Sequence, residues 1–446
     1  MAARRKKVPD RLRVGRVSVY FHHAAWWVYY REGTKPVRRR IGEDCDAAER
    51  IAAQINAQLA NNAPSLLSFR PIEVADLRDQ FLQHHEHILK SSIATIRRYR
   101  SATQHLIEFA ASRSRTPRAH EVQAEAFVLY LRTVEIAPNG HPNANKRWLR
   151  DKGVQFILET CRALYGYAGK RRHLPPYAPN PIAELPIDRM KIDDAKPIFV
   201  FDENSEFEFL RRADRWAFSV HFVLAKTGLR PGELIHLLID DIDLSGRWLR
   251  VSNKAALGWS VKTRDERMVP LLPEVAEVLR TVKGDRDTGV LFLRRRFAAG
   301  DQLPLMGDRR DMERVCAERR SAVPSTRDQE ASIARTVWRD AGALKADSIR
   351  ASFIRLARTA GIPHATCPKS WRHSFATLLQ DANVDPLVRQ ITLGHRPASR
   401  GGLGMTAHYT HTRPETQREQ VEAALRRWSR SLVLARHHCM EAEHGS

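Results

Sequence analysis

Cysteine is scarce in this chain and never patterned. The 446 residues contain five, Cys45, Cys161, Cys316, Cys367 and Cys439, and no two form a CxxC pair. An odd, scattered set argues against a disulfide framework and against structural zinc, and points to a reducing cytoplasm. Long apolar runs are also missing. The best stretch, Trp216 to Ala225, is interrupted by His221 and reaches about half the length a membrane span needs. The N-terminal MAARRKKVPDRLRVGR has no apolar h-region, so it does not read as a signal peptide. Acidic residues are in deficit: 51 Asp and Glu against 74 Lys and Arg leave a formal charge of +23 and a pI of about 10.3. Such a chain repels itself unless a polyanion is near, which makes nucleic acid the leading partner, ahead of a ribosomal or membrane surface. There is no GxxxxGK[ST] loop and no clear acidic metal-binding pair, so no cofactor and no metal is expected.

What is present is apolar material for real cores, 43% of residues, in a chain long enough for two to three domains. Three parts are legible. In the first, 1–62, VSVYFHHAAWWVYY (Val17 to Tyr30) reads as a strand ending at a Gly33 turn. KPVRRRI (Lys35 to Ile41) reads as a second strand, and Asp46 as the cap of a helix from Ala47 to Leu59 with Ile51, Ile55 and Leu59 on one face. Arg38, Arg39 and Arg40 sit on this sheet beside aromatics, and a face of Arg and Trp can enter a DNA groove. The second part, 63–190, follows an Asn-Asn-Ala-Pro linker and reads as four helices. Its Ser92–Phe109 helix exposes Arg97, Arg98 and Arg100, and a Pro-rich link from Leu174 to Pro186 closes it. The third part, 196–432, is mostly helical with one β-ribbon, Arg247 to Val251 and Val261 to Pro270. A short polar tail, 433–446, follows. The HHEH cluster (His84, His85, His87) reads as a solvated helix face, as do His437, His438 and Cys439 in the tail.

Four motifs in the third part carry chemistry. In TGLRPGELIHL (227–237) Gly228 breaks one helix and Pro231 opens the next. Arg230 therefore stands just outside a helix N-terminus, where a guanidinium can grip two phosphate oxygens and Glu233, one turn on, can orient it. In VKTRDERMVPL (261–271) Lys262 precedes a tight turn at Arg264–Asp265, at the tip of the ribbon. In PKSWRHSFATLL (368–379) Lys369 and Arg372 share one helix face, with His373 adjacent, while Trp371, Phe375 and Leu379 form the buried stripe. Two cations on one face make sense with an anion between them. In ITLGH (391–395) Gly394 ends a helix and His395 follows it. Further on, MTAHYTHT holds Tyr409 between His408 and His411.

Taken in order, Arg-Pro-Gly-Glu-Leu, a ribbon lysine, Arg-His-Ser-Phe-Ala-Thr, Leu-Gly-His and a final Tyr-Thr-His resemble the tyrosine recombinase (phage integrase) family. The resemblance covers the whole third part as a catalytic domain. The second part resembles that family's helical core-binding domain, and the first its arm-type DNA-binding domain. It implies a multidomain, mainly α fold: a small N-terminal β-sheet plus helix, a helical core-binding domain, and a mixed, mainly α catalytic domain with a β-ribbon. It implies a site-specific recombinase that cuts and rejoins DNA through a 3′-phosphotyrosine and a Holliday junction. Tyr409 would be the nucleophile, Arg230 and Arg372 would hold the non-bridging oxygens, and Lys262 would protonate the departing 5′ oxygen. Lys369 and His395 would hydrogen-bond the phosphate or take part in proton transfer. The implied partner is double-stranded DNA bound by a homotetramer in the cytoplasm, at the nucleoid, with the need for an accessory DNA-bending protein left open. The alternative is a non-catalytic DNA-binding protein that retains the fold; no essential residue is missing to favour it.

Two departures from the family pattern stand out. Lys369 occupies a position where the family usually has His, and fourteen positions separate His395 from Tyr409, more than is usual. The excess, RPASRGGLG (396–404), reads as a Gly-rich loop that would let the nucleophile move. The segment Glu415 to Ser431, with Val421, Leu425 and Trp428 on one side, is expected to dock on a neighbouring protomer. The stretch from Gly284 to Thr366 is longer than a minimal member needs, and its residues suggest no function.

Overall fold

His23 and Ala24 both take left-handed backbone, φ 47° and 56°, and turn the first strand-like stretch back on itself. Where one strand from Val17 to Tyr30 is expected, there are two, β2 (Val17–His22) and β3 (Ala25–Glu32). Two consecutive positive-φ residues are the two-residue hairpin turn that matches strand twist; its usual Asn-Gly signal is absent here, so the turn is not legible in the residues. With β1 (Arg11–Val14) before and β4 (Lys35–Gly42) after, they form a four-stranded antiparallel meander in sequence order. Its inner face, Val17, Val19, Trp26, Val28 and Tyr30, packs on Ala48, Ala52, Ile55 and Leu59 of α1 (Cys45–Ala60). The helix starts earlier than expected because Asp44, not Asp46, caps it: the Asp44 carboxylate accepts the Asp46 N–H at 2.9 Å.

This computed structural model describes residues 11–61, 67, 69–137, 143–175, 178–194, 197–300, 302–322, 326–395 and 412–444. It divides into two compact units, 1–195 and 196–446. In the first unit, beyond the sheet, lie α2 (Val74–Gln83), α3 (Ile93–Ala111), α4 (Ala124–Arg132) and α5 (Asp151–Lys170), the four helices read from the sequence. Their apolar faces, including Leu77, Phe81, Leu106, Phe127 and Leu158, close one core. A short ribbon, β5 (Glu135–Ile136) with β6 (Arg147–Trp148), is an addition. The HHEH cluster is not a plain solvated face. It forms a π-helical turn, His84–Ile88, in which His85 packs on Phe81 and Tyr99 and bonds Ser91 Oγ at 2.9 Å.

The second unit runs α6 (Glu203–Leu210), α7 (Arg215–Thr227), α8 (Pro231–Ile235), then a three-stranded antiparallel sheet of β7 (Ile242–Asp243), β8 (Trp248–Val251) and β9 (Arg267–Pro270). It continues with α9 (Pro273–Lys283), α10 (Arg295–Ala298), α11 (Arg309–Ser321), α12 (Arg327–Asp340), α13 (Ala346–Thr359), α14 (Ser370–Asp381), α15 (Pro386–Leu393), α16 (Pro414–Arg426) and α17 (Ser429–His444). The expected long strand from Val261 to Pro270 shrinks to β9, and the residues before it form a turn. In place of a polar tail from 433, α17 continues, with Leu432, Ala435 and Cys439 buried at helical spacing. His438 stacks on Phe218. The segment expected to dock on a neighbour docks on its own chain: Val421 and Leu425 are fully buried in the core that also holds Phe222, Leu279 and Phe375. An apolar stripe buries itself against whichever apolar surface it reaches, and here that surface lies within the same unit.

Candidate active site

Helix α7 stops at Gly228, whose φ of 61° turns the chain into α8. Arg230 is the N-cap residue of α8, and Glu233 reaches back to it: Oε2 accepts the Arg230 backbone N–H at 2.9 Å and Oε1 the guanidinium Nη1 at 2.6 Å. Glu233 thus contacts Arg230 through both its backbone and its guanidinium. The carboxylate is 3% exposed, and a buried charge with one partner would be costly. Its second partner is Arg267, at the start of β9, with Nη2 to Oε2 at 2.6 Å and Nη1 to Oε1 at 3.2 Å. Burial pushes the Glu233 carboxyl up, but the bonds and charge of Arg267, with those of Arg230, outweigh it and hold it below the usual carboxylate value.

Arg267 is the residue sequence reasoning missed. The signal was there: in RMVP, Arg267 and Val269 are buried and Met268 is exposed, so strand alternation turns the guanidinium inward. Its Nε donates to the Thr392 carbonyl at 3.0 Å, tying the ribbon to the end of α15. Gly394 makes this possible. It sits at φ 65°, and a Cβ there would lie 2.9 Å from Arg267 Cδ, so a side chain would displace the guanidinium.

Arg372, on α14, is 5% exposed. Nη1 donates to the Gly228 carbonyl at 2.7 Å, and Nη2 donates both to the Leu393 carbonyl and to His395 Nε2, the latter at 3.1 Å. Burial first, and then the charge of Arg230, push this guanidinium down to about 9, which leaves it protonated at neutral pH. Burial, followed by Arg372, Arg230 and Arg267, lowers His395 as well. The ring is thus neutral at pH 7, with Nε2 as an acceptor. Buried cations that destabilise one another are relieved by an anion placed between them.

The structure brings Arg230, Arg372 and His395 together around Gly228, Glu233 and Arg267. Lys369 lies one turn before Arg372, exposed at the head of α14. It does not share Arg372's buried position, because Arg372 turns inward to its carbonyl partners. Lys262 is exposed and stands on a different element, inside the turn that Arg264 N closes on the Val261 carbonyl at 2.8 Å. Tyr409 and the expected Gly-rich loop 396–404 lie outside the described residues.

Of the residues expected to touch DNA, Arg38 and Arg40 pair with Tyr29 and Trp27, while Arg39 pairs with Val28. Strand alternation therefore puts Arg38 and Arg40 on the outer, aromatic face, with Arg38 over the Tyr20 ring at 5.4 Å, and Arg39 on the other. Arg97 and Arg98 are exposed on α3, and the Arg98 guanidinium lies 4.2 Å from the Phe156 ring centre. Among the described residues no group of three or more His, Cys, Asp or Glu could hold a metal ion, and no helix is long and apolar enough to cross a membrane.

The model of the phage integrase family matches residues 209–416. Solved structures match over most of the chain. The integrase of transposon Tn1549 in complex with circular-intermediate DNA is 18% identical, with a TM-score of 0.50, covering 78% of this chain and 99% of that one. A variant of the same integrase, also with circular-intermediate DNA, gives 17% identity and 0.50 over 79% and 99%. A lambda integrase dimer bound to a core site covers 92% of this chain and 99% of its own at 15% identity, with a TM-score of 0.47. No curated protein matches. At these identities the likeness to the Tn1549 integrase structures speaks for the fold alone, and the family match lies within the second unit.

Proposed function

We propose that this chain, whose residues 209–416 match the phage integrase family, is a tyrosine recombinase that cuts and rejoins DNA, with Tyr409 as nucleophile and with Arg230, Arg372, Lys262, Lys369 and His395 as its catalytic set. The observation that supports this most is the convergence of Arg230, Arg372 and His395 on one spot, each held by a buried partner. A scissile phosphodiester there would receive two guanidinium groups on its non-bridging oxygens. Tyr409 Oη attacks phosphorus, and the bond from phosphorus to the 5′ oxygen breaks. His395 takes the tyrosine proton, and Lys262 gives one to the leaving 5′ oxygen. In the absence of DNA, His395 Nε2 is occupied by the Arg372 N–H; a phosphate that draws this guanidinium frees the nitrogen to accept a proton. Charge on the phosphoryl group grows towards the transition state, so fixed cations stabilise that state more than the ground state. The phosphotyrosine keeps the energy of the broken bond, and attack by another 5′ hydroxyl reseals the strand. Two rounds of exchange pass through a Holliday junction.

We assign 1–62 as an arm-type DNA-binding domain, 63–190 as a core-binding domain and 196–432, extended by α17, as the catalytic domain. Arg38, Arg40, Arg97 and Arg98 serve as DNA contacts. A tetramer on two duplexes and a place on a mobile element belong to the same reading. The test is covalent trapping. Genomic fragments carrying a site-adjacent nick are incubated with the enzyme, and complexes that survive denaturant are sequenced to give the site. Wild type should trap DNA and Tyr409→Phe should trap none; trapping by that variant would overturn the assignment.

A further inference from the structure

The helical hairpin of α11 and α12 closes a small apolar core of its own, Met312, Cys316, Val337, Trp338 and Ala341 around Leu238 and Leu257. Among its attachments is the turn 255–258. Trp338 Nε1 donates to the Leu257 carbonyl at 3.1 Å, and Arg320 Nη1 donates to the Ala256 carbonyl at 2.9 Å. Gly258, at φ 66°, lets them approach: a Cβ there would lie 2.6 Å from Ala334 Cβ and 2.8 Å from Arg320 Nη2. The turn is pinned at its base as well. Lys254 and Trp259 exchange backbone hydrogen bonds at 2.9 and 3.1 Å, and the buried Lys254 ammonium pairs with Asp241 at 2.9 Å.

Next to Lys254 stands Asn253, and its side chain brackets the turn that carries Lys262. Oδ1 accepts the Val261 N–H at 2.9 Å, and Nδ2 donates to the Arg264 carbonyl at 3.1 Å. The Asn253 backbone N–H in turn donates to Glu266 at 3.0 Å. The same hairpin reaches the other side of the site: His236, at the end of α8, stacks on Trp259 and meets Trp338 edge-on at 4.7 Å. One continuous set of contacts therefore runs from α12 through the 255–258 turn and Asn253 to the lysine turn.

We propose that the α11–α12 hairpin is the brace that positions Lys262 for proton delivery to the leaving 5′ oxygen, with Trp338, Arg320 and Asn253 as positioning residues. An exposed lysine on a free turn samples many places, and proton transfer needs one within hydrogen-bond reach. This gives a role to a stretch whose residues alone suggest none, and it rests on the assignment of Lys262 as proton donor.

The experiment compares single-turnover cleavage of a nicked duplex carrying the trapped site in two forms, one with the ordinary 5′ oxygen at the scissile phosphate and one with sulfur in its place. A thiolate leaves without a proton, because thiols are far stronger acids than alcohols. On the oxygen substrate, Arg320→Ala, Trp338→Phe and Asn253→Ala should each cut about tenfold or more slowly, a part of the roughly 10²–10⁴ that a general acid contributes. On the sulfur substrate they should cut at the wild-type rate, as Lys262→Ala should. Arg320 is half-buried and lies outside the apolar core of the hairpin, so its variant should keep the fold even if a Trp338 variant does not. Equal losses on both substrates would overturn the brace. If sulfur fails to rescue Lys262→Ala itself, the proton-donor assignment falls, and the brace with it.

Discussion

Arg267 and Glu233 form a buried, two-bonded ion pair, 2.6 and 3.2 Å, between the first strand residue after the lysine turn and the helix that Arg230 caps. The carboxylate is the hinge on which Arg230 is aimed, and Arg267 is what allows it to be buried and charged. Arg267→Ala leaves Glu233 buried with one partner, and breaking such a pair costs about 3–5 kcal/mol. A lower urea midpoint at unchanged slope is expected, together with slower cleavage. Arg267→Lys should recover part of the stability but not the forked geometry. An unchanged midpoint for the alanine variant would contradict this account.

Arg372 spends its bonds on two carbonyls and on His395, so its position is set before DNA arrives. Arg372→Ala and Arg230→Ala should each lower single-turnover cleavage by about 10²–10³, the cost of one oxyanion-stabilising donor. Both variants should still bind the trapped site in gel shifts. Loss of binding in step with cleavage would show ground-state grip instead.

His395 is lowered from its usual value by burial and by three arginines. Protonation would destroy the acceptor proposed to take the tyrosine proton. The acid limb of the cleavage rate should therefore lie below about pH 6.5, the ordinary histidine value. A rate that already falls between pH 8 and 7 would speak against His395 as acceptor. Replacement by Gln should flatten the limb.

His221 is fully buried between Ser352 and Trp371, and His236 is held beside two tryptophans; burial pushes them down to about 3 and about 4. Below the unfolded value, the unfolded chain binds protons that the folded one refuses. Stability from these groups is present above about pH 6.5 and declines as pH falls towards their folded values, by about 1.4 kcal/mol per pH unit for each. Urea titrations between pH 7 and 4.5 should show this slope. His221→Asn should remove one proton's share of it, whatever it does to the absolute stability.

The C-terminal helices belong to the core of the second unit. Lys226 and Glu206 form a buried ion pair that Ser431, at the start of α17, joins through its hydroxyl, and Val421, Leu425 and Leu432 are buried beside it. Ending the chain at Thr412 uncovers these apolar side chains, each worth about 1.5–3 kcal/mol of burial. The truncated protein should lose cooperative unfolding and bind a hydrophobic dye. A well-folded truncation would show the helices to be dispensable.

The local frame of the site was legible from residues. Gly228 and Pro231 bracket Arg230 because one ends and the other starts a helix. Trp371, Phe375 and Leu379 face inward because they repeat every four positions, and Gly394 ends α15 as its place after Leu393 suggests. The second strand of the first hairpin was not, because the His23–Ala24 turn has the backbone of an Asn-Gly turn without its residues. Nor was the burial of α16 and α17 in their own chain, since an amphipathic pattern says that a face is covered but not by what. The chemistry proposed for Arg230, Arg372 and His395 rests on which residues they are and on their immediate neighbours in the chain. Their convergence, the Arg267 clamp on Glu233 thirty-four positions away and the Trp338 hold on the 255–258 turn were decided only by tertiary structure. A buried charge or indole N–H takes whichever partner the packing brings within hydrogen-bond distance, and spacing along the chain does not encode that.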